Sequence, residues 1–331
     1  MFNTLITGVS GQAGAVLAKL LLDSGHNIFG MVRQSSSRSF WRLKELDILD
    51  KIILLEGDVT DQGSLDRIFS NNHFEYCFHT AAQSYVKISW DQPITTADIT
   101  GLGTLRVLEA IRKHSKSTKM LNFSSSEMFG KVQETPQTEM TPFYPRSPYG
   151  CAKVFAFDTC KNYRESHSLW CCSGIFFNYE SEYRSEEFVT RVITKGIAEI
   201  LAGKREKIQL GNLSAKRDWT YAKDSMRAAK LMLENDVPED YVISSGKTRP
   251  VSEFLETACA VAGLSAEDVV EFDETRIRRA EVDLLLGDSS HIKYDLGWET
   301  TTPFNQLVET MVLADCKRLG VTLANKYQIA V

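Results

Sequence analysis

A tyrosine and a lysine four residues apart could form an acid–base pair. Tyr149 and Lys153 lie at the start of a predicted helix, so their side chains share one face. A nearby ammonium group favours the phenolate, so Lys153 is expected to lower the pKa of Tyr149. Tyr149 could then take a proton from an alcohol while hydride leaves the same carbon for a nicotinamide, whose ribose Lys153 could bind.

A run of hydroxyl side chains and one carboxylate precedes this pair. The letters FSSSEMFG, from Phe123 to Gly130, follow a predicted strand, and ligands of parallel sheets bind at such carboxyl ends. The Ser125 hydroxyl could bond the oxygen that is oxidised. Glu127 could remove a proton beside the new ketone and then protonate a departing hydroxyl, which is the chemistry of a sugar 4,6-dehydration. A capping or surface role for Glu127 stays open on the spacing alone.

The start of the chain has the form of a dinucleotide-binding turn. The letters GVSGQAG, at residues 8–14, join a predicted first strand to a first helix. Glycines there permit a tight turn and a close approach of the backbone to a pyrophosphate, which the helix N-terminus attracts. The G-x-x-G-x-x-G spacing is typical of short-chain dehydrogenases. The predicted cofactor ligands in this turn are Gly8, Gly11, Gln12, Ala13 and Gly14.

The end of the second predicted strand favours NADP over NAD. An acidic residue there would bind the ribose 2′-hydroxyl, but the chain reads VRQSSSR over residues 32–38. A cation among hydroxyls suits a 2′-phosphate, which predicts Arg33 and Ser36 as ligands, although a solvated arginine stays possible. Further cofactor contacts are expected after the third and fourth strands, from Asp58, Val59, Ala81, Ala82 and Gln83.

Strand and helix patterns alternate along the first half of the chain. Apolar runs predict strands at Phe2–Thr7, Asn27–Val32, Lys51–Glu56, Glu75–Thr80, Met120–Ser124 and Trp170–Phe177. Helical spacing predicts helices at Ala15–Leu22, Gln62–Phe69, Asp98–Lys113 and Tyr149–Glu165. This alternation predicts an α/β fold with a Rossmann-type doubly wound parallel sheet.

The alternation loosens beyond Asn178. Helices are predicted there at Val189–Leu201, Thr220–Leu233, Val251–Ala262 and Phe304–Leu319, with short strands between them. We expect an NADP-binding domain over residues 1–178, to which some later segments return. A smaller C-terminal α/β lobe over residues 179–331 is expected to bind the substrate.

The composition argues against several classes of function. A net charge of −5 with 43% hydrophobic and 24% charged residues suits a globular enzyme and gives no support for nucleic-acid binding. No segment is long and apolar enough for a membrane span, and the N-terminus lacks a signal-peptide pattern. The seven cysteines form no C-x-x-C pair, so a cytoplasmic protein with reduced thiols is expected. The six histidines lack metal-ligand spacing, and no structural metal is expected.

Four longer stretches resemble the GDP-mannose 4,6-dehydratase family. They are AQSYVKIS at 82–89, GKVQE at 130–134, TPFYPRSPYG at 141–150 and LGNLSAKRDW at 210–219, and the similarity runs in order along nearly the whole chain. The resemblance implies an NADP-dependent lyase that converts GDP-mannose to GDP-4-keto-6-deoxymannose, with transient hydride transfer to bound NADP. It also implies a homodimer or homotetramer.

The same resemblance implies roles for individual residues. The family's catalytic hydroxyl, carboxylate, tyrosine and lysine fall on Ser125, Glu127, Tyr149 and Lys153, with serine in place of the usual threonine. A cofactor contact falls on Arg184. The implied substrate contacts are Ser84, Asn178, Lys216, Arg217, Arg278 and Glu281. The basic pair Lys216 and Arg217 would suit a diphosphate.

The chain departs from the family pattern in its cofactor and substrate loops. Ala13 replaces an aspartate in the glycine loop, and Tyr179 replaces a histidine after Asn178. Residues 182–187 read EYRSEE where relatives have a segment rich in proline, arginine and glycine. Residues 278–281 read RRAE in place of Arg-Pro-Thr-Glu.

Other functions stay compatible with these motifs. A 4,6-dehydratase of another sugar nucleotide, such as GDP-heptose, would use the same groups. A GDP-4-keto-6-deoxy-hexose reductase shares the Ser-Ser-Glu and Tyr-Lys elements but consumes NADPH, and a 4-epimerase has little need for an acid–base at Glu127. A non-catalytic NADP-binding protein is the alternative outside enzymes; the altered segment at 182–187 favours it, and the intact catalytic residues argue against it.

Overall fold

Strands and helices alternate along the first half of the chain in the computed structural model, which describes residues 1–36, 39–277 and 280–323. The strands are β1 (Asn3–Thr7), β2 (Asn27–Val32), β3 (Ile52–Glu56), β4 (Tyr76–His79), β5 (Lys119–Ser125), β6 (Cys171–Phe176), β7 (Asn178–Glu180), β8 (Ile208–Leu210), β9 (Lys216–Tyr221), β10 (Tyr241–Ile243), β11 (Thr248–Pro250) and β12 (Val270–Phe272). The α-helices are α1 (Gln12–Asp23), α2 (Trp41–Glu45), α3 (Gln62–Asn71), α4 (Val86–Asp91), α5 (Pro93–Thr96), α6 (Gly103–His114), α7 (Pro148–His167), α8 (Val189–Leu201), α9 (Ala222–Glu234), α10 (Val251–Ala262), α11 (Ala266–Val269), α12 (Ser290–Leu296) and α13 (Phe304–Arg318). A π-helical turn over Ala97–Leu102 joins α5 to α6.

Seven strands form one parallel sheet in the order β3-β2-β1-β4-β5-β6-β10. The strand order reverses between β1 and β4, and in doubly wound sheets ligands bind at the carboxyl ends beside such a reversal. The sheet confirms the predicted Rossmann-type α/β fold. Its last strand, β10, comes from residues 241–243, well beyond Asn178.

Helices cover both faces of this sheet. Adjacent residues of β1 show the alternation, because Ile6 packs with α1 and α9 whereas Leu5 packs with α3 and α6. Both side chains are fully buried, and burying each of them contributes about 1.5–3 kcal/mol. Burial on both faces explains why these strands read as continuous apolar runs.

A second core lies in the C-terminal half. Helices α8, α10 and α13 enclose Ile193, Phe254 and Met311, and they pack against Trp219 of β9. Strand β9 pairs with β7 on one side and β11 on the other. The neighbouring Asp218 accepts the Ser245 N–H at 2.7 Å and its hydroxyl at 2.6 Å. These bonds attach the loop after β10 to β9.

Two later helices, α8 and α10, have the predicted bounds, but the helix expected at Thr220–Leu233 is wrong at its start. Thr220 and Tyr221 end strand β9, and the helix begins at Ala222. Pairing of β9 with β7 overrides the helical spacing at these two residues. None of the helices in the described ranges is sufficiently long and apolar to cross a membrane.

Candidate active site

A Ser-Pro cap at the start of α7 places Tyr149. The Ser147 hydroxyl accepts the Gly150 N–H at 3.0 Å, and Pro148 occupies the first turn, where its fixed φ suits a helix start. Tyr149 therefore lies in the first turn, and Lys153 follows one turn later on the same face. Both side chains are buried, with exposures of 7% and 4%.

Strand β5 delivers the other two predicted catalytic residues to the same place. It ends at Ser125 and continues into a short 3₁₀ turn that carries Glu127. A Cβ atom at Gly150 would lie 2.8 Å from the Glu127 carbonyl oxygen, so this glycine lets α7 approach the turn. Ser125 Oγ accepts the Glu127 N–H at 3.2 Å, and the Ser125 hydroxyl also bonds the Tyr149 hydroxyl.

The pKa of Tyr149 is raised, so the lowering expected from the Lys153 spacing is wrong. Burial of the phenol is the main cause; Tyr179 and Glu127 add to it, whereas the hydrogen bond from Ser125 opposes it. The Lys153 ammonium donates a hydrogen bond to the carbonyl of Phe123 in β5. It lies 5.9 Å from the Tyr149 ring centroid. Burial also lowers the pKa of Lys153 to about 8.

The loops after β1 and β4 form a cradle whose shape fits a dinucleotide. Gly8 has φ of +72°, and a Cβ atom there would lie 3.0 Å from Ala81 Cα. A Cβ at Gly14 would lie 2.5 Å from the Gly8 carbonyl oxygen, so α1 packs directly on the turn. Helix α1 begins after Gly11, which leaves its first N–H groups for a pyrophosphate. The Ala81 N–H donates to Thr7 Oγ1 at 3.2 Å and joins the two loops.

A buried histidine supports this cradle, and no sequence pattern pointed to it. His79 Nδ1 lies 2.9 Å from Thr7 Oγ1, and Nε2 lies 3.1 Å from Thr104 Oγ1. The Thr104 hydroxyl donates to the Thr100 carbonyl at 3.0 Å, so it must accept the proton on Nε2, and Nδ1 accepts from Thr7. Burial lowers the pKa of His79 to about 3, so the imidazole is neutral.

The predicted cofactor residues after β2 and β3 differ in their exposure and hydrogen bonding. Arg33 and Ser36 are exposed just after β2, where a ribose phosphate would need them. Asp58 closes its own turn by accepting the Thr60 N–H at 2.9 Å, and Val59 is buried beside it.

Two predicted cofactor residues, Gln83 and Gln12, form side-chain hydrogen bonds within the protein. Gln83, which follows the partly buried Ala82, donates to Thr96 Oγ1 at 3.1 Å and thereby shapes the loop after β4. The Gln12 side chain donates to the carbonyl of Tyr179 at 3.0 Å. Both glutamine side chains therefore contribute to loop geometry. The Gln83 N–H donates to Thr100 Oγ1 at 3.1 Å, whereas the Gln12 N–H lies in the first turn of α1, where a pyrophosphate would bind. Ala13, which follows Gln12, is buried in the first turn of α1.

The predicted substrate contacts lie on the β7 and β9 side of the crevice. Asn178 Oδ1 is buried and has no hydrogen-bond partner within the described ranges, which suits a group that binds a ligand. Ser84 is exposed at the end of the β4 loop.

The structure brings two further predicted substrate residues together as an ion pair. Arg217 Nη2 lies 3.2 Å from Glu281 Oε1, and the Arg217 side chain is only 7% exposed. The adjacent Lys216 is exposed at the start of β9. Lys216 is therefore the more accessible cation for a diphosphate. The predicted contact Arg278 lies outside the described residues.

Arg184 lies on an irregular segment, residues 181–188, close to the predicted catalytic residue Tyr149. The Arg184 guanidinium lies 3.5 Å from the Phe188 ring centroid and 5.8 Å from that of Tyr179. Its Nε atom is 3.3 Å from Glu180 Oε2. The Arg184 charge opposes the rise in the Tyr149 pKa, so the two side chains lie within electrostatic reach of each other.

The additional carboxylates of this segment are engaged away from Arg184 or exposed. Glu182 is buried and accepts a hydrogen bond from the Tyr221 hydroxyl at 3.2 Å. Glu186 pairs with Lys195 at 2.5 Å, which lowers the Glu186 pKa. Glu187 is exposed. The carboxylates gained at 182–187 therefore do not pair with the predicted catalytic residues Tyr149 and Lys153 in the described contacts.

Tyr179, which the sequence marked only as a departure from the family, is a partly buried neighbour of Tyr149. It is the second largest cause of the raised Tyr149 pKa, after burial. Its ring packs edge-on against Phe176 at 5.7 Å between centroids.

A glycine-rich cradle at the carboxyl edge of a parallel sheet, with a buried Tyr-Lys pair beside it, defines the extended short-chain dehydrogenase class. The family model for GDP-mannose 4,6 dehydratase matches residues 5–311. The chain is 42% identical to the GDP-mannose 4,6 dehydratase of Cricetulus griseus, over 94% of this chain and 90% of the relative. It is 40% identical to the GDP-mannose 4,6-dehydratase of Vibrio cholerae, over 95% and 94%. The chain belongs to the GDP-mannose 4,6-dehydratase family.

A solved structure shares the fold at lower identity. RMD from Pseudomonas aeruginosa, complexed with NADPH, superposes with a TM-score of 0.80 over 96% of this chain and 100% of that chain. The two sequences are 22% identical, so this likeness concerns the fold alone.

Proposed function

We propose that the protein is a GDP-mannose 4,6-dehydratase, a lyase that forms GDP-4-keto-6-deoxymannose with transient hydride transfer to bound NADP. The observation that carries the proposal is the position of Glu127, two residues after Ser125 in a tight turn, where Ser125 bonds the Tyr149 hydroxyl. An alcohol oxidation needs only the tyrosine and its partners, whereas elimination of water needs an additional acid–base. Family membership supports the same sugar nucleotide.

In the proposed first step, Tyr149 and Ser125 act on the C4 hydroxyl of mannose. The Ser125 hydroxyl bonds the C4 oxygen, and Tyr149, acting as its phenolate, takes the proton of the C4 hydroxyl as the C4 hydride leaves. NADP, when bound, supplies the acceptor for this hydride and the donor that returns it at C6. Lys153 stays bonded to the Phe123 carbonyl and has two further N–H groups for the cofactor ribose.

In the second step, Glu127 eliminates water from the 4-keto sugar. The ketone acidifies the C5 proton, which Glu127 removes and then transfers to the departing C6 hydroxyl. Hydride is delivered at C6, and the proton held by Tyr149 returns at C5. One water is lost, no cofactor is consumed, and both catalytic groups regain their starting protonation.

For the cofactor, we propose a nicotinamide dinucleotide held by the Gly8 cradle, and NADP in preference to NAD. The support is Arg33 directly after β2, at the position where an acidic residue would bind a ribose 2′-hydroxyl. NADPH in RMD is consistent with this choice. Titration of the protein with each dinucleotide tests it: NADP should bind more tightly, and Arg33→Glu should reverse the preference.

We further propose a homodimer or homotetramer in the cytoplasm. Helices α5 and α7 and the intervening π turn expose apolar side chains, with Ile94 81%, Leu102 41% and Phe155 44% exposed. A second copy of the chain would cover them. The seven cysteines are free thiols and six are buried, which suits a reducing compartment. Light scattering of the purified protein tests the assembly.

The decisive experiment is mass spectrometry of GDP-mannose incubated with the protein and NADP, beside a Glu127→Gln control. We expect loss of one water from the sugar nucleotide, no net NADPH, and no dehydrated product from the control. Unchanged GDP-mannose would overturn the proposed substrate. GDP-heptose, and a GDP-4-keto-6-deoxy-hexose with NADPH, would then be tested in its place, since the catalytic groups suit them too.

A further inference from the structure

Arg42 of α2 joins two loops that are distant in the sequence. Its Nη1 atom donates to the Ser10 carbonyl at 3.2 Å, inside the glycine turn of the proposed cofactor cradle. Its Nε atom donates to the Tyr183 carbonyl at 2.6 Å, and Nη2 donates to Ser185 Oγ at 3.0 Å. One guanidinium therefore holds the cofactor turn and the segment that carries Arg184.

Gln12 makes a second connection between the same two regions. Its amide nitrogen donates to the Tyr179 carbonyl at 3.0 Å, and its amide oxygen accepts the Ser181 hydroxyl at 2.8 Å. Gln12 lies in the first turn of α1, directly after Gly11. The position of residues 179–185 is thus tied twice to the peptide groups that would bind the pyrophosphate.

The far side of the segment is held by a separate buried ion pair. Arg191 donates to the carbonyls of Glu182 at 3.1 Å and Arg184 at 2.5 Å, and it pairs with Asp315 at 2.8 Å. The carbonyl of Tyr183, between them, goes to Arg42. Arg191 and Asp315 belong to the C-terminal core, so this side is fixed whether or not the cofactor turn is ordered. Within the described residues, the Arg42 and Gln12 side chains are the ones that hydrogen-bond both this region and that turn or the helix start after it.

We propose that Arg42 is a positioning residue that transmits cofactor binding at the glycine turn to residues 183–185, and so orders the segment that carries Arg184 only when the dinucleotide is present. When the dinucleotide binds at the glycine turn, it restrains Ser10. Because Arg42 is hydrogen-bonded to Ser10 and also to Tyr183 and Ser185, residues 183–185 are then restrained as well. Arg184, which lies beside Tyr179 and within electrostatic reach of Tyr149, is then held in that place. The inference rests on the proposed function only in taking NADP as the ligand of the turn.

The guanidinium group suits this role better than an ammonium group would. Its planar fork reaches three acceptors in fixed directions, and it stacks over the Trp41 ring at 4.5 Å, which restrains the side chain. Burial, together with Arg191, lowers the Arg42 pKa to about 10, so the group stays charged at neutral pH. A lysine at this position could not reach Ser10, Tyr183 and Ser185 together with the same directions.

Hydrogen–deuterium exchange with NADP alone tests the proposal. In the wild type, saturating NADP should slow amide exchange both in the glycine turn and at residues 181–187, the latter by about tenfold. In Arg42→Lys and Arg42→Ala at equal NADP occupancy, the turn should stay protected and residues 181–187 should not. Ser185→Ala, which removes one of the three acceptors, should reduce that protection partly. Arg112→Ala, which removes a partly exposed pair with Glu109 on α6, is the matched control and should behave as the wild type.

Activity then separates positioning from simple loss of structure. Arg42→Ala should lower kcat for GDP-mannose at saturating NADP by about tenfold or more, and added methylguanidinium should restore part of it. Failure of NADP to bind the wild type would overturn the proposed cofactor function. NADP binding without protection of residues 181–187 in the wild type, or wild-type protection of these residues in Arg42→Lys and Arg42→Ala, would overturn the coupling.

Discussion

The predicted catalytic residues and Arg184 lie at the same site, but different kinds of structure hold them in position. Tyr149 and Ser125 are placed by regular elements, a capped helix start and a strand end, whose backbone geometry leaves little freedom. Arg184 lies on an irregular segment that is held in place by bonds from Arg42, which is distant in the sequence, and from the nearer Arg191. The contrast teaches that regular elements fix the positions of Tyr149 and Ser125, whereas the position of Arg184 depends on a few side chains such as Arg42 and Arg191. The following predictions test that division, from the largest expected effect to the smallest.

Removing the Tyr149 hydroxyl should affect chemistry alone. For Tyr149→Phe we expect kcat to fall by about 10²–10⁴, because the base for the C4 hydroxyl is lost while α7 and its cap are intact. The midpoint of urea unfolding should stay near that of the wild type. Tyr163→Phe removes a phenol from the same helix, where it bonds Glu109 at 2.8 Å, and should keep full activity. Comparable losses of kcat in both variants would refute the assignment.

Breaking the ion pair behind the irregular segment should affect stability first. Asp315→Asn leaves Arg191 buried without its carboxylate, and such losses cost about 3–5 kcal/mol in the free energy of unfolding. The matched control is Glu186→Gln, whose pair with Lys195 is exposed and contributes about 1 kcal/mol or less. Urea unfolding measures both. Equal costs would mean that the segment is not anchored through Arg191 and Asp315.

The difference between regular elements and contacts that are distant in the sequence also explains which features the sequence could predict. The Ser-Pro start of α7, the glycine turn and the strand ends are local patterns, so the fold and the grouping of Ser125, Glu127 and Tyr149 followed from them. Arg42 reaches residues 183 and 185 from the other half of the chain, and His79 reaches Thr104 across the sheet edge; neither contact has a local pattern. The direction of the Tyr149 pKa shift was also missed, because burial outweighs the charge that the spacing suggested.

The buried charge of Lys153 should lower the free energy of unfolding, although the proposed reaction needs this residue. Its pKa falls from 10.5 to about 8, which corresponds to a penalty of about 3 kcal/mol or less on the charged form in the folded protein. The penalty is complete below pH 8 and disappears as the pH rises towards 10.5, where the unfolded lysine also loses its proton. Lys153→Met should therefore be inactive but more stable by about 1–3 kcal/mol at pH 7, and less so at pH 9.5. Urea unfolding at the two pH values decides; an equal gain at both would show that the buried charge is not the cause.

The smallest effect concerns the cap that positions Tyr149. Ser147→Ala removes the acceptor of the Gly150 N–H and should cost about 0.5–2 kcal/mol in unfolding free energy. Because Tyr149 lies in the same turn, kcat at saturating NADP should fall several-fold as well. Asp61→Ala removes the equivalent cap of α3, where Asp61 accepts from Gly63 at 3.0 Å, and should cost similar stability without lowering kcat. If both variants lose stability equally and neither loses kcat, the turn around Tyr149 is held by its packing against the Glu127 backbone. The regular elements would then place the catalytic tyrosine through close packing at Gly150, and the cap would serve the helix alone.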